Sequence, residues 1–178
     1  DPMEKLKFDL VCQVAIVVED LEQGLEQIRN LFGFDESTLS YSDSLEAFQS
    51  GRLQDVYYQG EKVTSFHYRQ YNFFMGGMDI EMFAPVDMAE KNPFTDFLRE
   101  HGTGIHHLNV RLADRENGIR TLKEDLHVPP FFDLYHLGRN CAYFDLRQQL
   151  GVVIEVGSRV VGPRASMSEE EIRRLTAY

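Results

Sequence analysis

Residues 13–28 and 107–122 carry the same pattern, and each copy is headed by a side chain that can hold a metal. Both run as an alternating apolar stretch, then Asp-x-Glu-x-Gly-aliphatic-x-x-aliphatic, starting at Asp20 in one copy and Asp114 in the other. Seven positions before each Asp stand Gln13 and His107. A second matched pair lies further along. Asp79-Ile80-Glu81-Met82 and Val153-Ile154-Glu155-Val156 each set a Glu inside an apolar run. A carboxylate placed so is costly unless it has a partner. One such Glu reads as an edge residue, and one strand histidine reads as a satisfied core group. Two Glu at equivalent places, together with Gln13 and His107, call for a shared explanation: a site on the axis between two duplicated units.

The elements that must position these residues follow from periodicity. Residues 8–18 are rich in Val, Ile and Leu and predict a central strand. Asp20 is placed as an N-cap, with Leu21, Leu25, Ile28 and Leu31–Phe32 forming a helical stripe that ends at Gly33. Residues 38–60 are punctuated by Ser, Asp and Gly and predict a strand plus an irregular excursion. Strands are expected over 63–75 and 78–84, joined at Gly76-Gly77, with a short linking helix over 93–100. The second half repeats the order: strand 104–112, helix 114–126, a strand opened by Pro129-Pro130, and strands 140–147 and 151–158. Each half therefore reads β-α-β-β-β. Ser168 to Glu171 form a capping box ahead of Ile172 and Leu175, predicting a tail helix.

Composition bounds the function classes. Apolar content of 43% and charged content of 26% suit an ordinary globular chain, long enough at 178 residues for one domain or two small modules. The net charge of −11 argues against a nucleic-acid partner. No window holds eighteen uncharged apolar residues, so no membrane span is expected. Asp1-Pro2 ahead of Met3 is set aside as an expression scar, and no basic-then-apolar leader follows. Cys12 and Cys141 have no paired spacing and read as free thiols in a reducing compartment, which with the missing leader points to the cytoplasm.

Taken together, these residues resemble the vicinal oxygen chelate superfamily, which includes glyoxalase I, methylmalonyl-CoA epimerase, ring-cleaving dioxygenases and bleomycin-resistance proteins. The likeness covers about residues 8–158. Its epimerase-like wording lies in the linker from Asn92 through Gly102-Thr-Gly-Ile-His-His107 to Leu108, and in Leu150-Gly-Val-Val-Ile-Glu155. The resemblance implies an α+β fold in which two βαβββ modules form an open mixed β barrel with helices outside. The stretches would be a first module over 8–85, a linker helix over 86–103, a second module over 104–160 and a tail helix over 161–178. It further implies one divalent metal ion held by Gln13, Glu81, His107 and Glu155, the donor set seen in glyoxalase I of the zinc type. Three oxygens and one nitrogen suit Zn, Ni, Co or Mn.

The activity so implied is that of a lyase or isomerase moving a proton next to a carbonyl through a metal-stabilised enediolate. Glu155 is the expected base, releasing its hold on the metal, and Glu81 the partner on the opposite face. The substrate would be a small molecule with adjacent oxygens or a thioester, and the chain would pair as a homodimer.

Departures from the family narrow the chemistry. Where glyoxalase I anchors glutathione with Arg, Asn and Arg, this chain has Val17, Pro85 and Thr103. Where the epimerases carry a carboxylate base on an inner strand, the best register puts Gln70, with Glu46 or Glu61 from the insertion as substitutes. His67 is the expected additional pocket residue, and period two sends His106 to the opposite strand face, against the helix layer. Two other readings stand beside the enzyme: a metal-free antibiotic-binding protein of the bleomycin-resistance kind, and an extradiol-type dioxygenase, whose two-His-one-carboxylate triad Gln13 breaks.

Overall fold

Asp20 and Asp114 each cap a helix, as their place in the repeat predicts. The Asp20 carboxylate accepts from the Gln23 backbone N–H at 2.9 Å and the Asp114 carboxylate from that of Asn117 at 3.0 Å. The computed structural model describes residues 6–157. The first half comprises β1 (Phe8–Val17), α1 (Leu21–Leu31), β2 (Asp35–Asp43), α2 (Ser44–Gln49), β3 (Leu53–Tyr58), β4 (Glu61–Val63), β5 (Tyr68–Met75) and β6 (Met78–Pro85). The linking helix is α3 (Pro93–His101). The second half comprises β7 (Gly104–Leu112), α4 (Arg115–Arg120), β8 (Phe132–His136), β9 (Arg139–Leu146), α5 (Arg147–Leu150) and β10 (Val152–Val156).

All ten strands form one open mixed sheet in the order β2-β5-β6-β1-β7-β10-β9-β8-β3-β4. Within it β2-β5-β6-β1 and β8-β9-β10-β7 repeat one arrangement, each closing on a parallel pair, and β1 meets β7 antiparallel between them. The α+β, glyoxalase-like architecture expected from the sequence is the observed one. The outer faces are covered by separate apolar clusters, one joining Leu21 and Leu25 of α1 to Ile80 and Met82, the other joining Leu122 to Val110, Phe144 and Ile154. The inner face carries a third, aromatic-rich cluster that includes Tyr68, Phe83, Phe94, Phe132 and Tyr143. Burying one such ring fully contributes roughly 1.5–3 kcal/mol, so this cluster is a main support of the curved sheet.

Differences from the sequence reading have local causes. The excursion is a short helix and a hairpin, α2-β3-β4, whose β3 pairs with β8 of the other half (Tyr58↔Phe132, Leu53↔His136). The strand expected over 63–75 is broken, because the His67 N–H donates to Glu90 Oε1 instead of joining the sheet; pairing starts at Tyr68. The second-half helix loosens after Arg120 into a π turn over Thr121–Asp125, closed by the Leu126 N–H on the Thr121 carbonyl. The tail helix lies outside the described residues. Among the described residues no helix is long and apolar enough to cross a membrane.

Candidate active site

Two neighbouring rungs of the sheet build the site. In one, Glu81 of β6, Ala15 of β1, His107 of β7 and Val153 of β10 stand side by side. In the next, Asp79, Gln13, Asn109, Glu155 and Tyr143 do the same. Ala15, fully buried, sits between Glu81 and His107, and its single methyl group leaves space for their side chains to meet above it. Extra residues interrupt the β1–β7 ladder at Cys12 on one side and His106 on the other. These bulges immediately precede Gln13 and His107, so the duplicated sequence carries duplicated backbone irregularities, the usual device for re-aiming a side chain.

Glu81, His107 and Glu155 converge, with their donor atoms all within 4.8 Å of one another. His107 Nε2 lies 3.1 Å from Glu155 Oε2 and 3.6 Å from Glu81 Oε2. Both His107 Nε2 and Glu155 Oε2 are buried, and neither has a hydrogen-bond partner although they lie side by side. Burial works against the charged His107, but the Glu155 and Glu81 carboxylates outweigh it and push the imidazole up to about 9. Burial likewise raises Glu81, with His107 opposing and Glu155 adding to the rise. Two carboxylates thus share at most one positive charge. Orphaned, buried donors with excess negative charge fit a divalent cation, which would neutralise them.

Gln13 lines the same cavity, but its amide is held by the protein at both ends. Its Nε2 donates to Asp79 Oδ2 at 2.8 Å, and its Oε1 accepts from Asn109 Nδ2 at 3.2 Å. The amide oxygen keeps a second lone pair for a further partner.

The cavity has a volume of about 310 Å³. Gln70 does point there, donating to Glu81 Oε1 at 3.3 Å and to Asn72 Oδ1 at 2.8 Å. Glu46 and Glu61 do not: Glu46 is exposed and paired with Arg52, and Glu61 is exposed on β4. His67 also leaves the cavity, turned to Asp43 Oδ2 at 3.0 Å. His106 departs from period two because of the bulge. It stays on the inner side, packed on Phe94 and Phe97 of α3, with Nδ1 2.9 Å from His107 Nδ1.

Sequence reasoning missed Asn109, Arg111 and Cys141. Asn109 and Arg111 could have been found by stepping in twos from His107, which gives three polar residues on one face of an apolar strand. Cys141 read only as a free thiol, whereas it lines the cavity with Glu155; burial, then that carboxylate, raises it well above the usual thiol range.

Comparison with known proteins agrees with the geometry. No curated protein matches the chain. Among solved structures, methylmalonyl-CoA epimerase from Mycobacterium tuberculosis is 18% identical with a TM-score of 0.54, covering 87% of this chain and 91% of its own. Hypothetical protein BH1468 from Bacillus halodurans is 19% identical, with a TM-score of 0.55 over 90% of this chain and 99% of its own. A variant of Streptomyces coelicolor methylmalonyl-CoA epimerase in complex with 2-nitronate-propionyl-CoA is 18% identical, with a TM-score of 0.54 over 86% and 97%. At these identities the likeness is one of fold. A family model matches residues 12–126, which include both headed repeats, and the chain therefore belongs to the Glyoxalase/Bleomycin resistance protein/Dioxygenase superfamily.

Proposed function

We propose that the chain is a metal-dependent isomerase or lyase that moves a proton on a carbon next to a carbonyl, nearest in kind to the epimerases. The observation that carries this reading is the buried Glu81–His107–Glu155 cluster, with two orphaned donors and more negative than positive charge. Glu81, His107 and Glu155 would hold the cation, with Gln13 as the fourth donor. Bound there, it would supply Lewis-acid stabilisation of the charge that builds on a substrate oxygen.

The protein groups supply the proton chemistry. Glu155, held beside His107 and the Cys141 thiol, takes the proton from the carbon. Glu81, on the other side of His107, returns it to the opposite face. Gln70 orients Glu81 by donating to Oε1. The aromatic walls of Tyr68, Phe83, Phe94 and Phe132 exclude water from the pocket. A thioester is the favoured substrate class, because methylmalonyl-CoA epimerases share the fold and one is described in complex with methylmalonyl-CoA. Two free thiols suit a cytoplasmic setting.

Metal analysis of the purified chain, with solvent-deuterium incorporation into methylmalonyl-CoA, tests the reading. A stoichiometric dication, and exchange abolished in Glu155→Gln, are expected. A metal-free protein stabilised by an apolar drug would replace the enzyme with a binding module. Exchange at the wild-type rate in Glu155→Gln would remove Glu155 as base.

A further inference from the structure

Beyond the acid–base cluster, the cavity holds a buried cation with no anion to match it. Arg111 is only 4% exposed, lines the cavity, and extends the inner face of β7 two residues past Asn109. Its hydrogen-bond partner is neutral: Nη1 donates to Asn109 Oδ1 at 2.9 Å. Among the described residues no carboxylate lies within ion-pair distance of it, although buried arginines are ordinarily paired.

The neighbouring Arg115 does not supply a counter-charge. Arg115 is close enough to feel the Arg111 charge, and it spends its donors on the carbonyls of Val156, Gly157 and Asn140 and on Asn140 Oδ1, all neutral. The backbone makes room for this arrangement at Gly157, where a Cβ would stand 2.6 Å from Arg111 Nη1 and 2.8 Å from Asn109 Oδ1. Of the other arginines that line the cavity, Arg139 is exposed and Arg52 is already taken by Glu46. In a chain of net charge −11, Arg111 therefore stands buried in this cavity with no anion beside it among the described residues.

We propose that Arg111 is an anion subsite that selects substrates bearing a carboxylate. It rests on the function proposed above only in taking Glu155 as the reacting end. Gly157 stands two residues beyond Glu155, about 7 Å along the strand at ~3.4 Å per residue. A planar two-oxygen anion is favoured over phosphate because the guanidinium offers a planar fork deep in a pocket of about 310 Å³.

Butyrate and its neutral isostere butyramide, titrated into the labelled protein by NMR with and without a chelator, test the subsite. Butyrate is expected to bind at least ~10-fold more tightly, with the shifts centred on Arg111 and Gly157. The preference should vanish in Arg111→Gln. Gly157→Ala, which keeps the charge but displaces the guanidinium, should also remove it, so loss of fold in one variant does not decide the outcome. Equal binding of the two probes, a preference that survives in both variants, or competition by inorganic phosphate at equal concentration would each overturn the assignment. Metal content is measured on the same samples. Arg111→Gln should retain the dication, and an Arg111-dependent preference in a chain that binds no metal would sink only the metal reading.

Discussion

The Nδ1 atoms of His106 and His107 lie 2.9 Å apart although the residues are consecutive in β7. A regular strand would send them to opposite faces; the extra residue in the ladder at His106 brings both inward. Only one of the two nitrogens can carry the shared proton. If His107 offers Nε2 to a cation, its proton is on Nδ1 and is donated to His106, whose own proton must then lie on Nε2. Burial, with the His107 charge next, holds His106 well below the usual imidazole range, so it is neutral and able to accept. His106 is thus a positioning residue for the His107 tautomer. His106→Phe keeps the packing on Phe94 and Phe97 and should weaken metal binding by about 10- to 100-fold, read by chelator competition. His106→Asn, which can accept through its amide oxygen, should recover part of the loss. Unchanged affinity in the Phe variant would rule the role out.

The same cluster makes the metal-free protein sensitive to alkali. His107 is raised to about 9 from an ordinary value near 6.5, so its contribution is fully present below about pH 6.5 and is lost as pH rises through about 9. Glu81 is raised as well, and a carboxyl raised in the folded state also loses stability as pH climbs from its ordinary value near 4.5. Both effects have one sign. The melting temperature of chelator-treated protein should fall between pH 6.5 and 9, by an amount of the order of 5 °C. Added dication should raise it more at pH 8.5 than at pH 6, since His107 must give up its proton to bind. A melting temperature that rises with pH over this window would mean that His107 is neutral in the fold.

Much of this was legible in the sequence because the two halves repeat. The shared glycine is an instance: a Cβ on Gly24 would meet Met82 Sδ at 3.0 Å and one on Gly118 would run into Leu112 Cδ1, so both positions bring a helix close to its sheet. Strand and helix order, the capping Asp residues and the convergence of Glu81, His107 and Glu155 all follow from that duplication. The rest left no mark in the sequence pattern. The α2-β3-β4 insertion docks on β8 through pairings that depend on tertiary placement. The bulges at Cys12 and His106 break period two without any Gly or Pro to mark them. Arg111 is equivalent to Val17 in the first half, so symmetry gave it no emphasis.

Ala15 offers a test of the proposed cation site that touches none of the proposed ligands. It is fully buried between Glu81 and His107 on adjacent strands, and its face of β1 is where their side chains cross. Ala15→Val adds two methyl groups at that point. The strand tolerates Val well, so the main cost is local crowding of about 1–3 kcal/mol. Relief comes most easily by pushing the Glu81 carboxylate away from the imidazole, because Glu81 is the more exposed of the two at 15% against 0%. The variant should remain folded but bind the dication at least ~10-fold more weakly. Ala15→Gly opens the space instead, at a backbone cost of about 0.5–1 kcal/mol, and should retain the metal. Isothermal titration of both variants with Zn, Ni, Co and Mn distinguishes the outcomes. Were the Val variant to bind as tightly as wild type, the carboxylate of Glu81 would not be needed beside His107, and the site would reduce to His107 and Glu155 with Gln13.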